Sequence, residues 1–312
     1  MVRNLVHRNK ILGVISALAT VATWTTWTIA SRYAMRGGEA MDPILLTFIR
    51  YGTAAIVLAP FWIKFKLIPK QSSFLSLGGL LCAGLPYQFL VLAGLHYAPA
   101  TIAGPLLTGS LPLFVSILAI TLLREKMSPS GIIGVIIITS GVLVILGNSI
   151  VNLRGEELRG GILLLMGSLT WAIYTISFRR SGLSGFQATA FVAIWSVVLL
   201  IPFYGAHIVS TIQQVSLHQL VLQIFIQGLM AGVAALMTYT IAIKLLGPTF
   251  TTVITSLTPV MVNAVSILVL GEVAKISTII GCIFIVSGVL VNSGIFNYLR
   301  REERKNKIKI IA

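Results

Sequence analysis

The chain repeats itself at a constant offset of 147 residues, so that Trp24 falls on Trp171, Arg32 on Arg179, Pro112 on Pro259 and Glu125 on Glu272. The run Ser140-Gly141-Val142-Leu143-Val144 recurs as Ser287-Gly288-Val289-Leu290-Val291. A period this long means two duplicated halves and not a solenoid of short units. Each half holds an odd number of apolar spans, so the second copy must cross a bilayer in the opposite direction to the first. Many secondary transporters build two gates around one central site from inverted repeats of this kind. Transport is therefore the leading expectation before any side chain is given a role.

Composition removes the soluble alternative. Of 312 residues, 56% are hydrophobic and 10% charged, with a mean hydropathy of +0.96. A soluble domain usually carries about 25% charged residues, and too few are left here to cover a water-facing surface. The excess of 23 Lys/Arg over 8 Asp/Glu would suggest nucleic acid in a soluble protein. Here the positive charges lie in short loops and at both ends, with no basic patch within a folded soluble module, so no nucleic-acid partner is expected. Cys82 and Cys282 lie inside apolar spans and have no nearby His or Cys. They make neither a metal site nor a disulfide framework and are read as small buried side chains. No cofactor is implied.

A helix crossing the hydrocarbon core of roughly 30 Å needs about 20 mostly apolar residues. Ten stretches qualify: 11–31, 43–65, 74–96, 101–123, 130–149, 160–178, 186–208, 219–243, 249–270 and 276–297. Residues 1–10 are basic and resemble the start of a signal peptide. No small-residue cleavage site follows, however, and Trp24 and Trp27 interrupt the apolar run. Residue 11 onward is read as a retained first helix. The expected class is all-α integral membrane, with ten transmembrane helices as two inverted five-helix repeats. Residues 1–150 form the first repeat, 151–299 the second and 300–312 a basic tail.

Charge asymmetry sets the expected orientation. With the N-terminus cytoplasmic, the inner segments hold Arg3, Arg8, Lys10, Lys64, Lys66, Lys70, Arg124, Lys126, Arg179, Arg180, Lys244 and six Lys/Arg in 300–312. The outer loops hold Arg32, Arg36, Arg154, Arg159 and Lys275. A multi-pass protein of the plasma or inner membrane with both termini cytoplasmic is expected. The tail is either a topology anchor or a binder of anionic lipid at the inner leaflet.

At this point the chain resembles the ten-helix EamA-type branch of the drug/metabolite transporter superfamily. The likeness spans roughly residues 11–297. It rests on the Trp-rich first helix of each half, on Arg50 in the second helix, and on Pro112 followed by Leu122-Leu123-Arg124-Glu125. The last pattern recurs as Pro259 followed by Val269-Leu270-Gly271-Glu272. The resemblance implies a central cavity lined mainly by the first, third and fourth helices of each half. It also implies export or exchange of small organic solutes, without saying which.

Arg50 lies about eight residues into the second span. An Arg at a helix centre costs about 2.5–3.5 kcal/mol on insertion scales and usually faces a bundle interior or wet cavity. Near the equivalent place the second half has apolar residues, Phe191 to Trp195. Arg50 either holds a substrate carboxylate or other anion, or caps carbonyls of a neighbouring broken helix. Trp24 and Trp27, and in the second half Trp171 and Tyr174, are spaced i and i+3, on one helical face. They sit well past the start of their spans and are expected to line the cavity, with helix packing as the alternative. Tyr87 and Gln88, beside the breakers Gly84 and Pro86, and Tyr239 either bind substrate or join helices, because lipid offers a polar group no partner.

The fourth span reads Gly104-Pro105-Leu106-Leu107-Thr108-Gly109-Ser110-Leu111-Pro112. Its counterpart runs from Thr251 to Pro259 and is followed by Asn263. Proline removes a backbone donor and kinks a helix, and interrupted helices in corresponding positions point to a transporter site. Thr108 and Asn263 join the expected binding residues, and Pro105, Pro112 and Pro259 mark the expected breaks. Gly228-x-x-x-Gly232 looks architectural. Glu125 and Glu272, near Lys126 and Lys275, are read as helix-end anchors with gating as the alternative. No Asp or Glu lies at mid-depth, and His96 and His207 lie at span ends, so proton coupling and exchange for a counter-substrate both stay open.

An intramembrane enzyme would need paired carboxylates, a Ser/His pair or a His/Glu cluster. No H-x-x-x-H occurs, and Ser110 and Ser256 have no nearby His in sequence. A channel or receptor is the other competitor, and a cationic-drug exporter the other substrate reading. The expected activity is alternating-access transport of a small amphipathic metabolite such as an amino acid, around Trp24, Arg50, Tyr87, Trp171 and Tyr239. Monomer or dimer is undetermined.

Overall fold

The computed structural model describes residues 2–36, 41–63, 73–152 and 154–295. Among these, all regular structure is helical. The ten helices are α1 (Val2–Arg36), α2 (Pro43–Ile63), α3 (Phe74–Tyr97), α4 (Ala100–Leu123), α5 (Pro129–Val151), α6 (Gly155–Ser181), α7 (Gly185–Ile212), α8 (Leu217–Leu246), α9 (Pro248–Thr255 and Thr258–Leu270) and α10 (Ile276–Asn292). The first nine are long and apolar enough to cross a membrane. The tenth, at 17 residues, sits at the short end of what spans. The expected basic tail, 300–312, lies outside the described residues.

Helix starts carry the polar groups that an apolar run lacks. The Asp42 carboxylate accepts from the Ile44 and Leu45 amides at 2.9 Å. Ser128, Ser184 and Ser216 cap α5, α7 and α8, and Gln187 completes a capping box with Ser184. Each cap satisfies amides that the helix itself leaves open.

The packing repeats as the sequence does. α1 packs on α8 and α6 on α3; α1 packs on α9 and α6 on α4; α2 packs on α7, α4 on α9 and α5 on α10. The α5–α10 contact shows the symmetry residue by residue. A Cβ on Gly141 would stand 2.6 Å from the Gly281 carbonyl oxygen, and one on Gly288 would stand 2.8 Å from that of Gly134. These four glycines are two pairs at the 147-residue offset, so small residues let the two backbones touch.

Four helices are interrupted: α9 at Ser256-Leu257, and α3, α4 and α8. α3 passes through a 3-10 turn at Leu81–Ala83 and a break at Gly84. A side chain at Gly84 would meet Ser196 Oγ at 2.5 Å. α4 widens into a π-helical stretch, Gly104–Gly109, and restarts after Ser110. α8 carries a longer π-helical stretch, Ile224–Ala234, over the positions equivalent to the α3 break. Pro112 and Pro259 do not kink helix interiors. Each sits in the first turn of a restarted helix, where a missing amide proton costs nothing.

Candidate functional site

Aromatic rings from four helices cluster in the interior. Trp24 and Tyr239 stand 5.5 Å apart between centroids. Trp27 stacks on Tyr87 at 6.0 Å, Tyr87 meets Trp171 at 4.7 Å, and Trp171 meets Tyr174 at 5.4 Å. Trp24 and Trp27, one turn apart on α1, bring the Tyr239 contact and the Tyr87–Trp171–Tyr174 run together. Tyr87 of α3 thus sits between Trp27 of α1 and Trp171 of α6, and Tyr239 of α8 meets Trp24.

Arg50 reaches this cluster from α2. It is 6% exposed, with its guanidinium carbon 4.6 Å from the Trp27 ring centroid and 5.8 Å from those of Tyr51 and Tyr87. Desolvated cation–π contacts are worth about 2 kcal/mol, which offsets part of the burial cost. Its Nη1 has no hydrogen-bond partner, and among the described residues no ion pair includes it. The capping role weighed for Arg50 belongs to its neighbour. The single proton of the Tyr51 hydroxyl is shared between the carbonyls of Ala83 at 2.7 Å and Gly84 at 2.9 Å at the α3 break, where Gly84 O also accepts from the Gln88 backbone amide at 3.1 Å.

Two buried glutamines, Gln227 bonded to Trp27 and Gln88 next to Tyr87 in sequence, are in opposite states. Gln227, on the π-helical stretch of α8, accepts from Trp27 Nε1 at 2.7 Å and donates to Ser31 Oγ at 3.0 Å. Gln88 is fully buried, and neither its amide oxygen nor its nitrogen has a partner. A buried amide left unpaired costs about 1–3 kcal/mol, so Gln88 and Arg50 Nη1 together mark unmet hydrogen-bonding capacity.

Other expected site residues lie elsewhere. Thr108 is half-buried and donates to its own helix at Gly104 O, 2.9 Å away, and Ser110 Oγ donates to Leu106 O at 2.5 Å and to Ser168 Oγ at 3.0 Å. These hydroxyls are spent on the α4 break. Asn263 donates to Thr101 O at 3.0 Å and Pro259 O at 3.1 Å, tying α9 to the start of α4. His96 at the end of α3 has Nδ1 3.4 Å from Met35 O. Glu125 and Glu272 do not pair with the adjacent lysines. Glu125 binds Arg179 and Glu272 binds Arg32, while Lys275 pairs with Glu157. Helix ends from different halves meet there, and that outweighs closeness in sequence.

Gln227 and Tyr51 were missed in the sequence. Gln227 is a polar residue inside an apolar span, the same signal that singled out Gln88. Tyr51 carried no signal, because its value depends on a break in another helix.

The EamA-like transporter family matches the chain at residues 11–147 and 158–294. The chain is 26% identical to an "Uncharacterized transporter" of Clostridium kluyveri over 294 residues, 90% of this chain and 92% of that one. It is 28% identical to the "Uncharacterized transporter YyaM" of Bacillus subtilis over 262 residues, 79% and 83% of the two. A solved crystal structure shares the fold with a TM-score of 0.57 at 20% identity, covering 90% of this chain and 96% of that one.

Proposed function

The chain belongs to the EamA-like transporter family, and on that premise we propose that it carries small organic solutes bearing a carboxylate, amino acids or related metabolites foremost. It is a multi-pass membrane transporter; export or exchange by alternating access is the finer reading. The halves 1–150 and 151–299 are the units that rock, with Pro105, Pro112 and Pro259 at the breaks that let them. The site comprises Arg50, the rings of Trp24, Trp27, Tyr87, Trp171, Tyr174 and Tyr239, and the Gln88 amide. Thr108 and Asn263 shape the adjoining breaks.

One observation carries the substrate class: Arg50 is buried against the rings of Trp27, Tyr51 and Tyr87 with its Nη1 unpartnered and, among the described residues, no carboxylate beside it. A buried charge left uncompensated is costly. A carboxylate ligand supplies both charge and lone pairs, Gln88 supplies a donor and an acceptor, and the rings accept an apolar side chain. A cationic drug would gain from the rings but meet the Arg50 charge. The plasma or inner membrane with both termini cytoplasmic is the proposed setting, on the distribution of Lys and Arg.

Counterflow in proteoliposomes tests this reading. The vesicles are preloaded with amino acids, nucleosides or cationic drugs, and labelled tracer entry is followed with and without a pH gradient. Saturable exchange of carboxylate-bearing solutes, abolished in Arg50→Gln, is expected. Exchange confined to cationic drugs, or unchanged affinity and rate in Arg50→Gln, would overturn it, and unsaturable flux would favour a channel. The gradient arm decides between protons and a counter-substrate.

A further inference from the structure

The two ion pairs that join the halves are copies of each other. Arg32 and Arg179 occupy one repeat position, Glu272 and Glu125 another, and the structure pairs each arginine with the glutamate of the other half. α1 and α6 lie five helices apart, so the ends that carry the two arginines lie at opposite faces of the membrane.

Their states differ. Arg32 Nε stands 2.9 Å from Glu272, with side chains 11% and 12% exposed. Arg32 also donates to Leu95 O at 2.5 Å and His96 O at 3.2 Å, and Glu272 accepts from the Thr101 amide at 3.1 Å. Four helices, α1, α3, α4 and α9, are thereby drawn together. Arg179 stands 2.6 Å from Glu125, with both side chains 47% exposed, and no further hydrogen bond to either side chain is found among the described residues. Solvent screens a pair in that position. One turn inward from each arginine lies a matched threonine. Thr28, behind the buried pair, is 1% exposed, and Thr175, behind the exposed pair, is half-buried.

We propose that these pairs are alternating latches: Arg32–Glu272 seals one mouth of the carrier, Arg179–Glu125 seals the other, and each tightens as its counterpart loosens. In the structure both pairs are formed, the first buried and braced by three further hydrogen bonds, the second open to solvent. Losing one latch must shift the population toward the state open on that face and away from the other. This rests on the carrier reading but not on the carboxylate assignment.

The test uses the full chain in proteoliposomes, with Cys82 and Cys282 replaced by Ala and a single reporter, Thr28→Cys or Thr175→Cys. Modification by a membrane-impermeant thiosulfonate is timed from each face, without substrate. Arg32→Gln is expected to speed modification of the Thr28→Cys reporter roughly tenfold and to slow that of Thr175→Cys, a shift in the usual range for coupled sites. Glu272→Gln removes the same pair from the other helix and must give the same pattern. Arg179→Gln and Glu125→Gln, in the exposed pair, must give the reverse and carry the test if the buried variants fail to fold. Speeding of the near reporter without slowing of the far one, or no change in either, overturns the proposal. Because no substrate is present, a failed counterflow assay leaves this result standing, and the converse holds.

Discussion

Two helical frames related by the 147-residue repeat contribute unequally to the proposed site: both supply rings, but the buried arginine and the unpartnered glutamine come from the first alone. Trp24 and Trp171 match, as do Thr28 and Thr175, and the glycines of α5 and α10 match pair for pair. Arg50 falls instead on Val197, Tyr51 on Val198, Tyr87 on Ala234 and Gln88 on Ala235. The scaffold has kept its symmetry while the polar chemistry has drifted to one half. The two jobs explain the difference. Rocking between two states favours two equivalent hinged units, whereas one solute needs a single set of polar contacts. A second buried arginine at Val197 would add an insertion cost of about 2.5–3.5 kcal/mol and a like charge near the first.

The largest effect should come from the asymmetric residue. Arg50→Gln is expected to weaken exchange of a carboxylate solute about a hundredfold, near 3 kcal/mol, as measured by counterflow KM and rate. An intact affinity would break the contrast. Next are the symmetric glycines. Gly141→Val and Gly288→Val should each cost about 1–3 kcal/mol by forcing two backbones apart, with matching falls in the detergent-solubilised melting temperature. Clearly unequal falls would show that the frame is less symmetric than its contacts. Gln227→Leu leaves the Trp27 indole unpaired at a cost of about 1–2 kcal/mol. Roughly tenfold weaker substrate binding is expected, read by quenching of tryptophan fluorescence. The smallest is Tyr51→Phe, which takes the hydroxyl donor from the Ala83 carbonyl at the α3 break while Gly84 O keeps the Gln88 backbone amide. It should lower stability by about 1 kcal/mol and leave the KM for solute little changed, and a large KM change would move Tyr51 into the binding set.

Much of the architecture was legible because a bilayer allows few answers. Apolar runs of the right length, an odd number in each half and a recurring set of Trp, Pro and Glu are enough to give ten helices in two inverted repeats. The i, i+3 spacing of Trp24 with Trp27 and of Trp171 with Tyr174 placed each pair on one face, and in the structure Tyr87 of α3 bridges Trp27 and Trp171. Polar residues were harder to place. Thr108 and Asn263 looked like Gln88 in the sequence, yet the Thr108 hydroxyl is spent within α4 and the Asn263 Nδ2 ties α9 to α4, while Asn263 Oδ1 stays unpartnered. Glu272 sits three residues from Lys275 and pairs with Arg32, 240 positions away.

The sequence by itself determined the class, the helix count, the inverted duplication and the family, because hydrophobic length and internal repetition are properties of the chain read in order. Tertiary structure alone decided which polar groups are satisfied. It gave Gln227 two partners and Gln88 none, assigned the carbonyls of Ala83 and Gly84 to Tyr51 and not to Arg50, and set one ion pair in the interior and its copy in solvent. Hydrogen bonds and charges act over a few ångströms, and which groups come that close is fixed by how helices from the two halves cross.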